Sequence, residues 1–259
     1  MKENCLRHLD LCSGIGGFSL GLEATGGVKT VAFCEREAYP QAILKQHWPD
    51  VPCYTDVKEL TYAQLEADGL VPVDLLTAGY PCQSFSTANT KREGTKDPRY
   101  LWPDIFRLVR ECRPPMVLFE NVEGQIRRGL DEVWSNLEDQ DYAVRTFNIP
   151  ASAVGAPHRR ERIWIIGFNS VADSESQRIQ GLRSSRKQEL EPLEYPLLPC
   201  CHGQGLNEAH WKTEPEICRV VDGFPTRVDQ IKALGNAIVP QIAYLLGVAL
   251  LNTLREIPR

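Results

Sequence analysis

Short apolar runs separated by stretches of helical period constrain this chain more than any other feature. The runs are RHLDL (7–11), KTVAFCE (29–35), VPCYTD (51–56), VDLLTAGYP (73–81) and PMVLFENV (115–122), continuous rather than alternating in hydrophobicity. A strand of that kind is covered on both faces, as in a parallel sheet packed between two layers of helices. Between them GFSLGLEATG, AYPQAILKQHW, KELTYAQLEADG and YLWPDIFRLVREC read as helices. DYAVRTFNI (141–149) and RIWIIGF (162–168) add two further strands. The expectation is an α/β fold, a doubly wound and mostly parallel Rossmann-like sheet. A chain of 259 residues suffices for one such core with a small lobe attached.

After Phe168 the composition shifts. Residues 169–218 are rich in Ser, Gln, Glu, Pro and Gly without a sustained period, which reads as a small irregular insert. From Arg219 the chain looks ordered again, and VPQIAYLLGVALLNTLREI makes a closing helix. Three segments result: a core over 1–168, the insert over 169–218, and a return to the core over 219–259. The start, MKENCLRHLDLCSG, has no apolar stretch behind its charges, and no window is expected to reach the roughly 20 apolar residues of a membrane span. A soluble, cytoplasmic protein with no membrane partner is expected.

Ligands of open α/β sheets lie beyond the carboxyl ends of the strands. The first strand ends in DLCSGIGGF, where Gly14, Ile15, Gly16 and Gly17 make a tight turn into a helix. Ser19 stands where a GxGxxG fingerprint has its third glycine, so the loop alone leaves a nicotinamide enzyme open. The acids weigh against it. Asp10, Glu35 and Asp56 fall at or just before the ends of the first three strands. Three carboxylates would repel a pyrophosphate but suit a cationic sulfonium and its ammonium group, which favours S-adenosylmethionine.

Cys82, in GYPCQSFS, leaves the fourth apolar run and enters a turn toward the same crevice. Nine cysteines without a CxxC pair argue for free thiols rather than a disulfide framework. A thiol beside a cation or helix start is lowered toward the thiolate that attacks, so Cys82 is a candidate nucleophile. Glu120 follows four apolar residues, and burial there favours its neutral form. It is then placed to donate a hydrogen bond to a substrate nitrogen; the other reading has Glu120 and Asn121 bonding only to loop amides.

The net charge of −5 argues mildly against a nucleic-acid partner, but it hides an asymmetry. Between His158 and Gln188 stand Arg159, Arg160, Arg162, Arg178, Arg183, Arg186 and Lys187 against Glu161, Asp173 and Glu175. That run reads either as a basic binding face or as solvated surface.

Taken together, DLCSGIGGF, PCQSFS, ENV, RRER after a proline, and GNAIVP resemble, in order and spacing, the motifs of the C5-cytosine DNA methyltransferases, in particular compact, phage-associated members. The resemblance implies methyl transfer from S-adenosylmethionine to carbon 5 of a cytosine flipped out of double-stranded DNA, through a covalent bond to Cys82. It implies that Glu120 contacts ring nitrogen 3 and the exocyclic amine, and that Arg160 and Arg162 help hold the base and its loop. For the cofactor it implies Phe18 on the adenine, Glu35 on the ribose hydroxyls, and Asp56 on the adenine amine with Val57 beside it. Gly14, Gly16, Gly79 and Pro81 would line the methionine part, and Asn236 and Ala237 would close the pocket. Residues 87–99 resemble the loop that closes over the flipped base. The insert would be the target-recognition lobe.

Two departures stand out. His158 replaces the family's usual glutamine, and the insert is short for a recognition lobe. Cys200, Cys201, His202, His210 and Cys218 match no usual zinc spacing, so no metal is expected. The resemblance also implies a monomer and allows a cognate restriction endonuclease as partner. A tRNA cytosine methyltransferase and a DNA-binding regulator with a vestigial site are the competing readings.

Overall fold

The computed structural model describes residues 5–80, 100–127, 129–169 and 227–256. Its strands are β1 (Leu6–Leu11), β2 (Val28–Cys34), β3 (Cys53–Tyr54), β4 (Leu75–Gly79), β5 (Met116–Val122), β6 (Tyr142–Pro150) and β7 (Glu161–Asn169). They form one sheet in the order β3-β2-β1-β4-β5-β7-β6. β1 to β5 run parallel, while β7 is antiparallel to both neighbours. The doubly wound, mostly parallel sheet is therefore present, with the order reversing between β1 and β4. The third strand is shorter than its run of 51–56, because β3 is an edge strand paired only with β2 through Phe33 and Cys34.

Helices α1 (Gly17–Glu23), α2 (Ala38–His47), α3 (Tyr62–Ala67), α4 (Trp102–Cys112), α5 (Leu130–Glu138), α6 (Arg227–Asn236) and α7 (Pro240–Glu256) complete the fold. α3 starts at a capping box: Thr61 Oγ1 accepts from the Gln64 amide while the Gln64 side chain accepts from the Thr61 amide. One face of the sheet buries Leu65, Trp102, Ile105, Leu108, Val133 and Leu137. The other buries Phe18, Leu22, Ile242, Leu246, Leu250 and Leu254.

The last four recur every fourth residue and make the stripe by which α7 lies on α1 and the sheet. The stretch Lys232–Leu254 is, against the sequence expectation, long and apolar enough by length and composition for a membrane span. Its apolar stripe is spent on this core. α1 meets α7 so closely that a Cβ on Gly21 would clash with the Pro240 carbonyl oxygen and stand 2.8 Å from the Ala243 Cβ.

Candidate active site

The glycine loop leaves β1 through backbone that side chains rarely adopt: φ is +51° at Cys12, +54° at Gly14 and +83° at Gly16. A Cβ on Gly16 would lie 2.7 Å from the Trp48 ring, and one on Gly17 2.6 Å from the Ile238 carbonyl oxygen. Both positions therefore need glycine for space. At Gly14, by contrast, a Cβ would meet nothing within 4 Å. One side of the loop is packed on protein and the other is open.

On the open side stands Glu35, just past β2. Its Oε2 accepts from the Gly14 amide at 2.7 Å and its Oε1 from the Glu37 amide at 2.7 Å, which fixes the carboxylate against the loop. Asp56, half-buried after β3, accepts from the Lys58 amide at 2.9 Å, with Val57 buried beside it. Asp10 is placed differently. It sits within β1, fully buried, and its oxygens accept from Ser19 and Thr77, each at 2.8 Å. It braces the loop from below. Phe18 is buried in the first turn of α1, its ring edge-on to Trp164 at a centroid separation of 5.7 Å. Ile15 is half-buried in the loop, Asn236 ends α6, and Ala237 lies in the turn before α7.

A second cluster forms at the ends of β4 and β5. In register, Gly79 pairs with Glu120, Glu120 with Trp164, and Val122 with Arg162. Arg162 Nε lies 3.0 Å from Glu120 Oε1. Burial raises the Glu120 carboxyl to about 7, against the pull of the Arg162 and Arg160 charges. A Cβ on Gly79 would stand 3.1 Å from Ile238 Cδ1 and 3.8 Å from Glu120 Oε2, so this glycine keeps Ile238 and Glu120 close to the strand end.

Arg160 adopts φ +37° and donates through Nη2 to the Gly235 and Ala237 carbonyls, both at 2.8 Å. A left-handed arginine costs about 1–3 kcal/mol, and the two bonds that tie RRER to GNAIVP offset it. Tyr80, the last described residue before PCQSFS, is buried, with its carbonyl accepting from Asn121 Nδ2 at 3.4 Å and its hydroxyl from Gln125 Nε2.

Pro81, Cys82 and the loop over 87–99 lie outside the described residues, as does the insert beyond Asn169, with Arg178, Arg183, Arg186, Lys187 and the Cys/His cluster of 200–218. Asn169 itself closes β7. Burial raises the thiols of Cys12, Cys34, Cys53 and Cys112, so none of these four is readied as a thiolate. Among the described residues, no three His, Cys, Asp or Glu side chains are grouped to hold a metal.

Several residues of this arrangement escaped the sequence reading. Trp48, which backs Gly16, carries no local signal, and Ile238, which backs Gly17, lies in GNAIVP beside the two residues singled out there. Ser19 did carry one, since it breaks the glycine fingerprint.

With this geometry in hand, comparison with known proteins decides the family. The description C-5 cytosine-specific DNA methylase matches residues 6–214. The chain belongs to that family. Similar to it is Type II methyltransferase M.HgiBI of Herpetosiphon aurantiacus, 35% identical over 173 residues, covering 64% of this chain and 38% of the relative. Type II methyltransferase M.HhaI of Haemophilus parahaemolyticus is 34% identical over 170 residues, covering 64% of this chain and 50% of that one. The chain thus spans between 38% and 50% of the length of these methylases. Among solved structures, a prophage-encoded protein of E. coli described as a DNA modification methyltransferase matches with a TM-score of 0.54 and 29% identity, over 64% of this chain and 47% of that one. The S. pombe Dnmt2 methyltransferase shares the fold, with a TM-score of 0.63 at 16% identity, over 96% of this chain and 99% of its own.

Proposed function

We propose that this methylase transfers a methyl group from S-adenosylmethionine to carbon 5 of cytosine in double-stranded DNA, with Cys82 as the nucleophile. The observation that carries the reading is the Glu120–Arg162 pair at the end of β5, beside Gly79, which stands three residues before Cys82 in the sequence. A carboxyl raised to about 7 still holds a proton in much of the population at neutral pH, as a donor to ring nitrogen 3 must. Arg162 then offsets the charge left when that proton moves toward the base.

The cofactor reading is supported by the loop itself. Gly14 has open space beside the fixed Glu35 carboxylate, an acceptor for a ribose diol. Glu35, Asp56 and Val57 would hold the adenosyl part, whereas Phe18 is spent on the core against Trp164 and is not placed to pack on the adenine as the resemblance implied. Gly14, Ile15, Gly16, Gly17, Gly79 and Pro81 would line the methionine part, and Asn236 and Ala237 would close it. Bound there, S-adenosylmethionine supplies an electrophilic methyl group on a cationic sulfur. Asp10 acts beneath the loop.

The chain's own steps follow from the poor nucleophilicity of cytosine carbon 5. Cys82 thiolate adds to carbon 6, and Glu120 gives its proton to nitrogen 3, so carbon 5 becomes an enamine carbon able to accept the methyl. A base then removes the carbon 5 proton, Glu120 regains its proton, and the Cys82 bond breaks. Covalent catalysis divides one hard step into two. The base must leave the duplex to be reached, which costs a few kcal/mol, and basic residues on the phosphates offset that. Recognition would fall to the insert, action to a monomer in the cytoplasm of a bacterial or phage-infected cell, and a cognate restriction endonuclease is a compatible partner.

Duplex DNA carrying 5-fluorocytosine tests the reading, because fluorine cannot leave as a proton and the adduct persists. Wild type with S-adenosylmethionine should form a covalent complex on a denaturing gel, and Cys82→Ala should not. An equal adduct from Cys82→Ala removes the thiol from the mechanism. Methyl transfer to tRNA with none to duplex DNA would move the substrate class instead.

A further inference from the structure

Beneath the glycine loop runs a chain of hydrogen bonds that none of these steps uses. Thr30 Oγ1 lies 3.1 Å from His8 Nδ1, and His8 Nε2 lies 2.8 Å from Thr77 Oγ1. Thr77 donates to Asp10 Oδ1 and Ser19 to Asp10 Oδ2, each at 2.8 Å. All five residues are at most 1% exposed. Sheet register assembles them: His8 pairs with Thr30 on β2, Asp10 with Thr77 on β4, and His8 and Asp10 share the face that α1 covers. Ser19 reaches down from α1 to complete the set.

The chain has a polarity that Asp10 sets. An ionised carboxylate only accepts, so the Thr77 hydroxyl gives it its proton and must accept from His8 Nε2–H. Nδ1 is then the bare nitrogen, accepting from the Thr30 hydroxyl. A single ring proton agrees with burial, which lowers His8 to about 3 and keeps it neutral. Facing Asp10 are Thr77 from β4, Ser19 from α1, the neutral His8 on its own strand, and beyond them the Glu35 carboxylate and the Cys12 thiol. Burial raises Asp10 to about 7, opposed by the Thr77 and Ser19 bonds and aided by the Glu35 charge.

We propose that Ser19, Thr77 and His8 are positioning residues for the cofactor-binding loop, acting through Asp10, whose two oxygens fasten the first turn of α1 to the middle of the sheet. This rests on the S-adenosylmethionine reading of that loop. Ser19 occupies the place of the fingerprint's third glycine, and a glycine there would have no hydroxyl to hold the loop down. When Asp10 takes up a proton it must donate one O–H, so either the Ser19 hydroxyl turns round or the Thr77 branch does. In the second case His8 passes to the Nδ1–H tautomer. The loop's fastening and the His8 tautomer are thereby coupled to one proton.

Calorimetric titration of S-adenosylhomocysteine into the full chain between pH 6 and 8.5, with imidazole 15N spectra of His8, tests this. Ser19→Ala and Thr77→Val should weaken binding roughly tenfold while turnover at saturating cofactor changes little, and Thr77→Ser should recover to within about twofold. Wild-type affinity should vary with pH near 7. Thr77→Val, having lost a donor to the carboxylate, should move that variation upward in pH. At pH 8.5 wild-type His8 should show a bare Nδ1. Folded Ser19→Ala and Thr77→Val proteins that bind like wild type, or a protonated Nδ1 at pH 8.5, overturn the proposal. If the alanine or valine variant does not fold, Thr77→Ser affinity and the wild-type tautomer decide it. Wild type that fails to bind S-adenosylhomocysteine at all overturns the cofactor reading instead, and the tautomer still tests the hydrogen-bond chain.

Discussion

At Glu120 two influences of opposite sign meet in one carboxyl. Burial raises it, Arg162 and Arg160 lower it, and the balance stands at about 7. Because this lies above the ordinary value of 4.5, the neutral form is the one the fold favours. The associated stability is full below about 4.5 and is lost as pH rises through about 7. In the proposed mechanism the same sign governs catalysis, since the proton offered to the base is the one lost. Single-turnover methyl transfer to duplex DNA should decline above about pH 7. Arg162→Met should move that decline to higher pH while slowing the reaction, because the removed cation was holding the carboxyl down. Glu120→Gln should lose about 10²–10⁴-fold in rate and the decline with it. A decline that neither variant alters belongs to another group. The position of Glu120 at the end of an apolar run was legible in the sequence. Its pairing with Arg162 was not, because antiparallel β5–β7 register brings residues 42 positions apart together.

Among the elements, what could be read depended on how many neighbours each one has. β1, β4 and β5 are buried between partners, and their continuous apolar runs showed it. β3 touches only β2, so its run stops being strand after Tyr54. The glycine loop was readable as a turn, but Asp10 was grouped with Glu35 and Asp56 because spacing along a strand does not say which face a side chain takes against an unseen helix. The α1–α7 contact was equally hidden, since Gly21 reads as a flaw in a helix until Pro240 and Ala243 are seen against it. Gly21→Ala should destabilise the protein by about 1–3 kcal/mol as α1 is pushed from α7. Leu20→Ala, on the exposed side of the same helix, should cost no more than about 0.5 kcal/mol. Urea midpoints of the two variants give the comparison. Equal midpoints would mean that α7 yields to the added methyl group.

Across the whole molecule the sheet divides its labour at the reversal between β1 and β4. Glu35 and Asp56 stand on the β2–β3 side with the glycine loop, while Glu120 and Arg162 stand on the β5–β7 side, and Arg160 ties the second group to the turn before α7. On the proposed function DNA approaches this edge, although the chain carries a net charge of −5. Uniform charge would repel the phosphates, so binding has to depend on local cations. Arg178, Arg183, Arg186 and Lys187 supply one such group, in the segment proposed to read sequence. Each phosphate contact releases condensed counterions, making the logarithm of affinity fall with the logarithm of salt by roughly 0.9 per contact. Reversing Arg183 and Arg186 to Glu should therefore weaken duplex binding and flatten its salt dependence by about 2 in slope, with S-adenosylhomocysteine affinity unchanged because the glycine loop is built from other elements. Fluorescence anisotropy of a labelled duplex between 50 and 200 mM salt reads the slope on the scale where such contacts dominate. A parallel shift with the slope kept would place the phosphate contacts elsewhere and make this basic run solvated surface.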